Sequence, residues 1–379
     1  MSYNTYVIFI ITKILCINEP SCSHTNERRV KEQMYQKARS YFPYVLLFAI
    51  IFFAGVWYVK WNPYYHKAFL AAAKHSIGNS IVSGKSAAPP TPSWTAAWSY
   101  TVTYFKAVWQ AVILGLLLGS LVQVLLPRNW IPKIFGRTNF KSTALAGVAG
   151  IPSMMCTCCS APIVVGLRQR KASVGAGLAY WLGNPVLNPA TIIFMGFVLS
   201  WKLALFRIVA GIIMVFGISY LANHWANEKE VPEDFIADDL KDEEQVNFFR
   251  QWMKALLPLI RDTLPSYFIV VVILGAIRAW LFPAIGTEWA DSLLAVVGFA
   301  VAGTLFIIPT AGEVPIVQSL MAFGLGIGPG VALLMTLPAV SLPSLLMVKR
   351  VFPARVLLFV AGAVALIGIL SGAVAMLIF

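Results

Sequence analysis

The stretch "VWQAVILGLLLGSLVQVLL", residues 108–126, decides the fold class, because 19 successive residues carry no charged side chain. A helix needs about 20 such residues to cross the hydrocarbon core of a bilayer. Three similar runs are "YFPYVLLFAIIFFAGVWYV" (41–59), "SYFIVVVILGAIRAWLF" (266–282) and "VLLFVAGAVALIGILSGAVAMLIF" (356–379). Lipid offers the backbone no hydrogen-bond partners, so these runs are predicted to be helices.

The composition of the whole chain agrees with that class. Of 379 residues, 59% are hydrophobic and 12% charged, and the mean hydropathy is +0.75. The net charge of +13 does not indicate a nucleic-acid partner, because the basic residues lie in short loops between apolar runs. The chain is therefore predicted to be an all-α polytopic membrane protein whose partners are the lipid bilayer and a small-molecule substrate.

The apolar runs and the polar stretches between them predict five sections. Residues 1–33 are predicted to be a disordered leader or a mis-assigned start, 34–99 a first transmembrane helix with an external loop, 100–223 a first repeat, 224–254 an acidic cytoplasmic linker and 255–379 a second repeat. The predicted spans are 41–59, 104–126, 142–167, 173–199, 203–223, 263–283, 291–323, 328–348 and 355–378.

An internal repeat is the strongest organisational signal. A shift of 153 residues lays "PIVVGLRQRKASVGAGLAYWLGNP" (162–185) on "PIVQSLMAFGLGIGPGVALLMTLP" (315–338) with eight identities, four of them Gly or Pro. Shared hydrophobicity alone would not match glycines and prolines at the same spacing. The chain is therefore predicted to be a duplicated unit preceded by one extra helix.

Lys and Arg in the short loops predict the orientation of the repeats. Basic residues before the first span place the N-terminus in the cytoplasm, and those on both sides of 142–167 lie on that same side. Segment 142–167 is therefore predicted to enter the membrane and return, as is its repeat mate 291–323, which is longer than one span needs. Two such hairpins make the repeats inverted, with the substrate site where the breaks meet. Nine plain crossings with parallel repeats remain the alternative.

Three of the five cysteines lie together in "GIPSMMCTCCSAPIVVG" (150–166). Non-helical backbone at membrane depth is expected to line a cavity. Cys156 and Cys158 form a C-x-C pair that could approach one soft centre, with Cys159 as a third ligand for a metalloid or a soft metal. The alternative is that buried cysteine only packs helices closely. No stable metal or cofactor is predicted, since a fourth ligand and nearby histidines are missing.

Two Asn-Pro steps follow the cysteines in "WLGNPVLNPAT". Asn184 and Asn188 are expected to line the substrate path, although they could instead satisfy groups freed by proline kinks. The prolines expected to break helices are Pro162, Pro185, Pro189, Pro309, Pro315 and Pro338.

Glu313 lies in "IIPTAGEVPIV", at the repeat position of Ser160. A carboxylate within the membrane is costly and is usually functional, so Glu313 is predicted to couple or gate transport. Its alternative role is to cap the half-helix after the break. No arrangement of catalytic side chains is visible, and an enzyme is not predicted.

The cysteine, Asn-Pro and "GEVP" motifs together resemble those of the YraQ-like predicted permeases, in the family of the organoarsenical efflux permeases. The resemblance covers about residues 41–379. It implies an inner-membrane permease that in some members exports trivalent organic arsenicals, with the motif positions at Cys156, Cys158, Cys159, Pro162, Asn184, Pro185, Asn188, Pro189, Glu313 and Pro315.

The leading hypothesis is therefore a secondary transporter of the bacterial inner membrane that exports a small soft or thiol-reactive solute, such as an organoarsenical. The alternatives are an uptake permease for a small sulfur compound and a membrane redox protein in which Cys158 and Cys159 cycle between dithiol and disulfide.

Overall fold

The computed structural model describes residues 43–379, apart from 85, 87, 88, 127–129, 227–247 and 284–291. The predicted leader, the basic residues before the first span, most of the acidic linker and the loop at 284–291 lie outside the described residues. Within the described ranges the chain is helical and contains no strand, apart from one isolated bridge between Ser80 and Gly84.

The helices are α1 Pro43–Lys74, α2 Trp94–Leu125, α3 Trp130–Phe135, α4 Phe140–Gly150, α5 Thr157–Gln169, α6 Val174–Val186, α7 Pro189–Val198, α8 Trp201–Trp225, α9 Phe248–Leu281, α10 Leu293–Leu305, α11 Glu313–Ala322, α12 Ile327–Ala339, α13 Leu342–Val348 and α14 Ala354–Ile378. Seven spans in the described chain are long and apolar enough to cross a membrane: α1, α2, α6 with α7, α8, α9, α12 with α13, and α14.

The helix boundaries follow the repeat found in the sequence. The offset of 153 residues relates the first residue of α4 to that of α10, and in the same way α6 to α12, α7 to α13 and α8 to α14. Polar side chains cap both members of the first pair, since Asn139 accepts from Ser142 N and Ser292 accepts from Ala295 N. The two halves of the chain therefore share one order of helices and breaks.

Helices α4 and α5 form a hairpin whose two ends lie side by side. Ser173 N, just after α5, donates to Phe135 O, just before α4, at 2.7 Å. Arg168, at the end of α5, donates from Nε to Val351 O at 3.2 Å. The loops at 135–139, 170–173 and 349–353 thus lie at one end of the helix bundle, as the basic residues in them predict.

Helices α10 and α11 turn back in the same manner. A Cβ added at Gly372 would come 2.7 Å from both Val296 Cγ1 and Gly328 O, so the starts of α10 and α12 meet at one end of α14. Since α11 ends at Ala322, five residues before α12 begins, the segment from α10 to α11 starts and finishes at that end. Each of the two segments is thus a pair of helices with a non-helical break between them.

The first helices of the two halves pack together in opposite directions. Trp252 near the start of α9 donates to Ser120 near the end of α2 at 3.0 Å. Further along, the hydroxyls of Tyr104 and Tyr267 lie 2.7 Å apart.

Two predicted boundaries are wrong. The external loop predicted to follow the span 41–59 is helical as far as Lys74, because Pro63 follows a π-helical turn at Trp57–Trp61 and stands at the start of the next helical segment, where its missing N–H costs little. The predicted span 263–283 starts earlier than expected, because it is part of α9, which begins at Phe248 within the section 224–254 predicted as an acidic linker and contains Pro258 and Pro265.

The predicted proline breaks need correction at four positions. Pro309 lies in the gap between α10 and α11, and Pro189 begins α7. Pro162, Pro185 and Pro338 instead lie inside helices, and Pro315 is the third residue of α11. Pro315 lies in the first turn of α11, where its missing N–H would have had no intrahelical partner, whereas Pro162, Pro185 and Pro338 each remove one intrahelical hydrogen bond.

Candidate functional site

The first break, residues 151–156, is held open by side-chain hydrogen bonds. A 3₁₀ turn at Ile151–Ser153 is followed by Met154 in the left-handed region at φ 50°. Asn184 Oδ1 accepts from Met155 N at 3.1 Å and from the Ser153 hydroxyl. The side chain of Asn184 thus provides a hydrogen-bond acceptor for a backbone N–H that the break leaves without a helical partner.

The second break, residues 306–312, is supported from two other helices. Ala311 has φ 63°, and the hydroxyl of Tyr100 in α2 donates to Ile307 O. Lys60 in the π-helical turn of α1 donates from Nζ to Thr310 Oγ1 at 3.0 Å. The next residue, Trp61, donates to Pro152 O of the first break at 2.9 Å. Helix α1 therefore contacts both breaks.

The two breaks meet at a small cavity. Its wall includes Cys156 from the first break and Glu313 from the start of α11. The remaining lining residues come from the second break, from the ends of α6 and α12 and from the starts of α5, α7 and α13: Thr157, Pro185, Thr191, Ile308, Pro309, Thr310, Ala311, Leu337, Pro338 and Ser341. The predicted meeting point of the broken segments is therefore a cavity in the structure.

The structure pairs the cysteines differently from the sequence prediction. Cys156 is the N-cap residue of α5, and Cys159 lies one turn into that helix with the two Sγ atoms 2.8 Å apart. Cys158 Sγ lies 3.6 Å from Ser341 Oγ. The thiol–thiol contact in the structure is thus between Cys156 and Cys159. In the described chain, no three metal-ligating side chains cluster.

Asn184 and Asn188 are both fully buried, and neither lines the cavity wall directly. Asn188 caps α7, since its Oδ1 accepts from Ala190 N at 3.0 Å and Thr191 N at 3.3 Å. Its Nδ2 has no hydrogen-bond partner among the described residues. Both side chains hold the broken backbone that shapes the cavity.

Glu313 forms a buried ion pair with a residue that the sequence analysis missed. Arg207 Nη2 in α8 lies 2.9 Å from Glu313 Oε1, and each side chain is 1% exposed. The same guanidinium donates to Pro185 O at 3.0 Å and Val186 O at 3.1 Å. Glu313 Oε2 has no hydrogen-bond partner in the described chain. The sequence did contain a signal for Arg207, because a charged residue inside a predicted span, here 203–223, is usually functional.

Lys60 is the second missed residue, and it is 5% exposed. Its ammonium also lies 5.4 Å from the centre of the Tyr64 ring. The sequence analysis placed Lys60 at the start of an external loop, so its burial was not anticipated. Cys156, Glu313 and Thr310 line the cavity, and behind them lie their partners Cys159, Arg207 and the ammonium group of Lys60. Such a set could bind a soft or charged solute.

This fold and site are those of a membrane permease, and the comparison with known families agrees. The chain belongs to the ArsP_1 family, described as predicted permease, whose model matches residues 24–167 and 93–377.

Among curated relatives, the chain is 49% identical to UPF0718 protein YraQ of Escherichia coli (strain K12) over 331 residues, covering 87% of the chain and 94% of that protein. It is 23% identical to UPF0718 protein MJ0584 of Methanocaldococcus jannaschii over 319 residues, covering 66% of the chain and 87% of that protein. No solved structure matches the chain.

Proposed function

We propose that the protein is a secondary transporter of the bacterial inner membrane that exports a small soft or thiol-reactive solute, such as an organoarsenical. The observation that carries the proposal is the cavity at the meeting of the two helix breaks, where Cys156 and Glu313 share one wall. In transporters, substrate sites lie where discontinuous helices of two repeats meet. The soft sulfur at this site favours soft solutes.

The transport cycle we propose uses the two halves as inverted repeats with a cytoplasmic N-terminus. The opposite directions of α2 and α9 support inversion, as do two reciprocal contacts between the halves. Helix α5 of the first half packs on α13 of the second, and α11 packs on α7. Alternating access would then be a movement of one half against the other around the cavity.

Each site residue has a proposed role in that cycle. Cys156 and Cys159 would hold the solute through sulfur, and Cys158 would join as a third ligand only after leaving Ser341. Asn184 and Asn188 would shape the path between the half-helices. The Glu313–Arg207 pair would couple or gate transport, because its opening exposes two opposite charges to the cavity.

The test is export of trivalent methylarsenite and phenylarsine oxide from proteoliposomes containing the full chain. Cys156→Ser and Cys159→Ser should each abolish flux, because a single thiol remains in the pair. Cys158→Ser should lose less flux than either, because Cys158 joins only as a third ligand. If all three variants transport like the wild type, the soft-solute proposal is wrong.

The alternative is a permease that takes up a small sulfur compound, which would use the same cavity but transport in the opposite direction. Growth of a deletion strain on single sulfur sources separates the two, since only an uptake protein would be required for growth. Sensitivity of the same strain to trivalent arsenicals reports export.

A second candidate function is a membrane thiol redox protein. It is favoured by the 2.8 Å separation of Cys156 and Cys159 Sγ in a C-x-x-C motif at a helix N-terminus. Oxidation would join the two sulfurs and release two protons and two electrons to a quinone or a disulfide acceptor. Alkylation of membranes from oxidised and reduced cells, followed by mass spectrometry, measures this bond. Equal alkylation of both cysteines in the two samples excludes this function.

A further inference from the structure

We infer that the cavity also accepts small sulfur-bearing anions and that Lys60 supplies the charge that attracts them. This inference rests on the proposed function, because it assumes that the cavity is the solute site. It adds a class of charged solute, which the thiol pair alone does not select.

The first step is the balance of buried charge. Of the chain's 16 acidic residues, the described part contains two, Asp262 and Glu313. Asp262 pairs with Arg350, whose side chain is 45% exposed, and Glu313 is already matched by Arg207. Lys60 is therefore a buried cation with no acidic partner among the described residues. An isolated buried charge is costly, so such a site favours an anion.

The second step is the position of the ammonium group. Lys60 Nζ donates to the hydroxyl of Thr310, which lines the cavity together with Cys156. An ammonium has three donors. Thr310 takes one of them, and the Tyr64 side chain lies beside the group with its ring centre 5.4 Å from Nζ. An anion in the cavity could accept from the ammonium without displacing a protein carboxylate.

The third step is a stripe of lysines that leads to the cavity. Lys60, Lys67 and Lys74 are spaced by seven residues on α1, which places them along one side of the helix. Lys67 and Lys74 are exposed, and Lys74 lies at the end of α1. A row of one charge sign raises the local concentration of oppositely charged solutes. With the cytoplasmic N-terminus proposed above, the stripe runs from Lys60 to the outer end of α1, so it lies on the exit side of an exported anion.

The test measures thiosulfate binding to the full chain in lipid nanodiscs by calorimetry, with sulfate as the oxygen-only analogue. Thiosulfate should bind, and Lys60→Gln should weaken it about tenfold or more, the usual cost of losing a hydrogen bond to a charged group. Lys60→Arg keeps the charge and should stay within about threefold of the wild type, which also shows that the position tolerates substitution. Lys74→Gln, at the exposed end of the stripe, is the matched control and should change binding less than Lys60→Gln.

Two results of these binding measurements would contradict the inference. Equal thiosulfate affinity in the wild type and in Lys60→Gln overturns the inference, as does binding of neutral phenylarsine oxide when thiosulfate, sulfate and arsenate all fail to bind. The second result would mean that a thiolate of the protein, rather than a bound anion, balances the charge of Lys60. Flux of phenylarsine oxide in proteoliposomes is measured in parallel and keeps the two proposals separate. Flux without anion binding contradicts only the inference that the cavity binds an anion. Anion binding without any flux contradicts only the proposal that the protein is a permease.

Discussion

Arg207 and Glu313 form an ion pair that joins the two halves of the chain across 106 positions, with Nη2 and Oε1 2.9 Å apart and both side chains 1% exposed. Arginine can bind several acceptors in a fixed plane, and here it also bonds the carbonyls of Pro185 and Val186 at the end of α6. The pair therefore fixes the start of α11 against the interruption between α6 and α7. Any movement of one half against the other must strain or open it.

Glu313→Ala should destabilise the protein by about 3–5 kcal/mol, because it leaves Arg207 buried without a counter-charge. Thermal unfolding in nanodiscs measures this loss. The double variant Arg207→Met with Glu313→Met should recover much of the stability and still lack transport. A double variant that transports normally would show that the pair is only structural.

Asn184→Ala should loosen the first break, because Met155 N and the Ser153 hydroxyl both donate to Asn184 Oδ1. One buried donor left without an acceptor costs about 1–3 kcal/mol. Asn184→Asp keeps the acceptor and serves as the control for the amide oxygen. Alkylation rates of Cys156 measure the opening of the break, and equal rates in wild type and Asn184→Ala would contradict this role.

Gly115→Ala should disturb the contact between α2 and α5. A Cβ at Gly115 would lie 2.1 Å from Cys159 O, so the two helices must separate. Overpacking of this kind costs about 1–3 kcal/mol and should also move the thiol pair. Gly298→Ala is the matched control, since a Cβ there meets nothing within 4 Å. The comparison needs unfolding temperatures and thiol reactivity for both variants, and an unchanged Gly115→Ala protein would disprove the close contact.

The breaks and the repeat could be predicted from the sequence because their signals are local. Glycines, prolines and polar caps act within a few residues, and the offset between the halves is found by aligning the sequence with itself. Long-range partners could not be predicted in this way. Lys60 and Thr310 are 250 positions apart, so nothing near Lys60 indicates that it turns inward.

The pairing of the thiols depended on a detail of the first break. Because Cys156 is the last residue outside α5 and Cys159 lies in its first turn, the helix places these two together and turns Cys158 toward Ser341. The sequence spacing alone favoured Cys156 and Cys158, the C-x-C pair, as the thiols that act together. The start of α5 could not be placed from the prolines, since Pro162 lies inside that helix.

The hairpin of α4 and α5 predicts the sidedness of two exposed loop residues, Arg137 and Lys171. Ser173 N donates to Phe135 O at 2.7 Å, so these residues lie at the same end of the bundle. Arg137→Cys and Lys171→Cys should both react with a membrane-impermeant maleimide only in inside-out vesicles. His75→Cys, at the far end of α1, should react only in right-side-out vesicles. Labelling of Arg137→Cys and Lys171→Cys from opposite sides would instead support nine plain crossings, because segment 142–167 would then cross the bilayer.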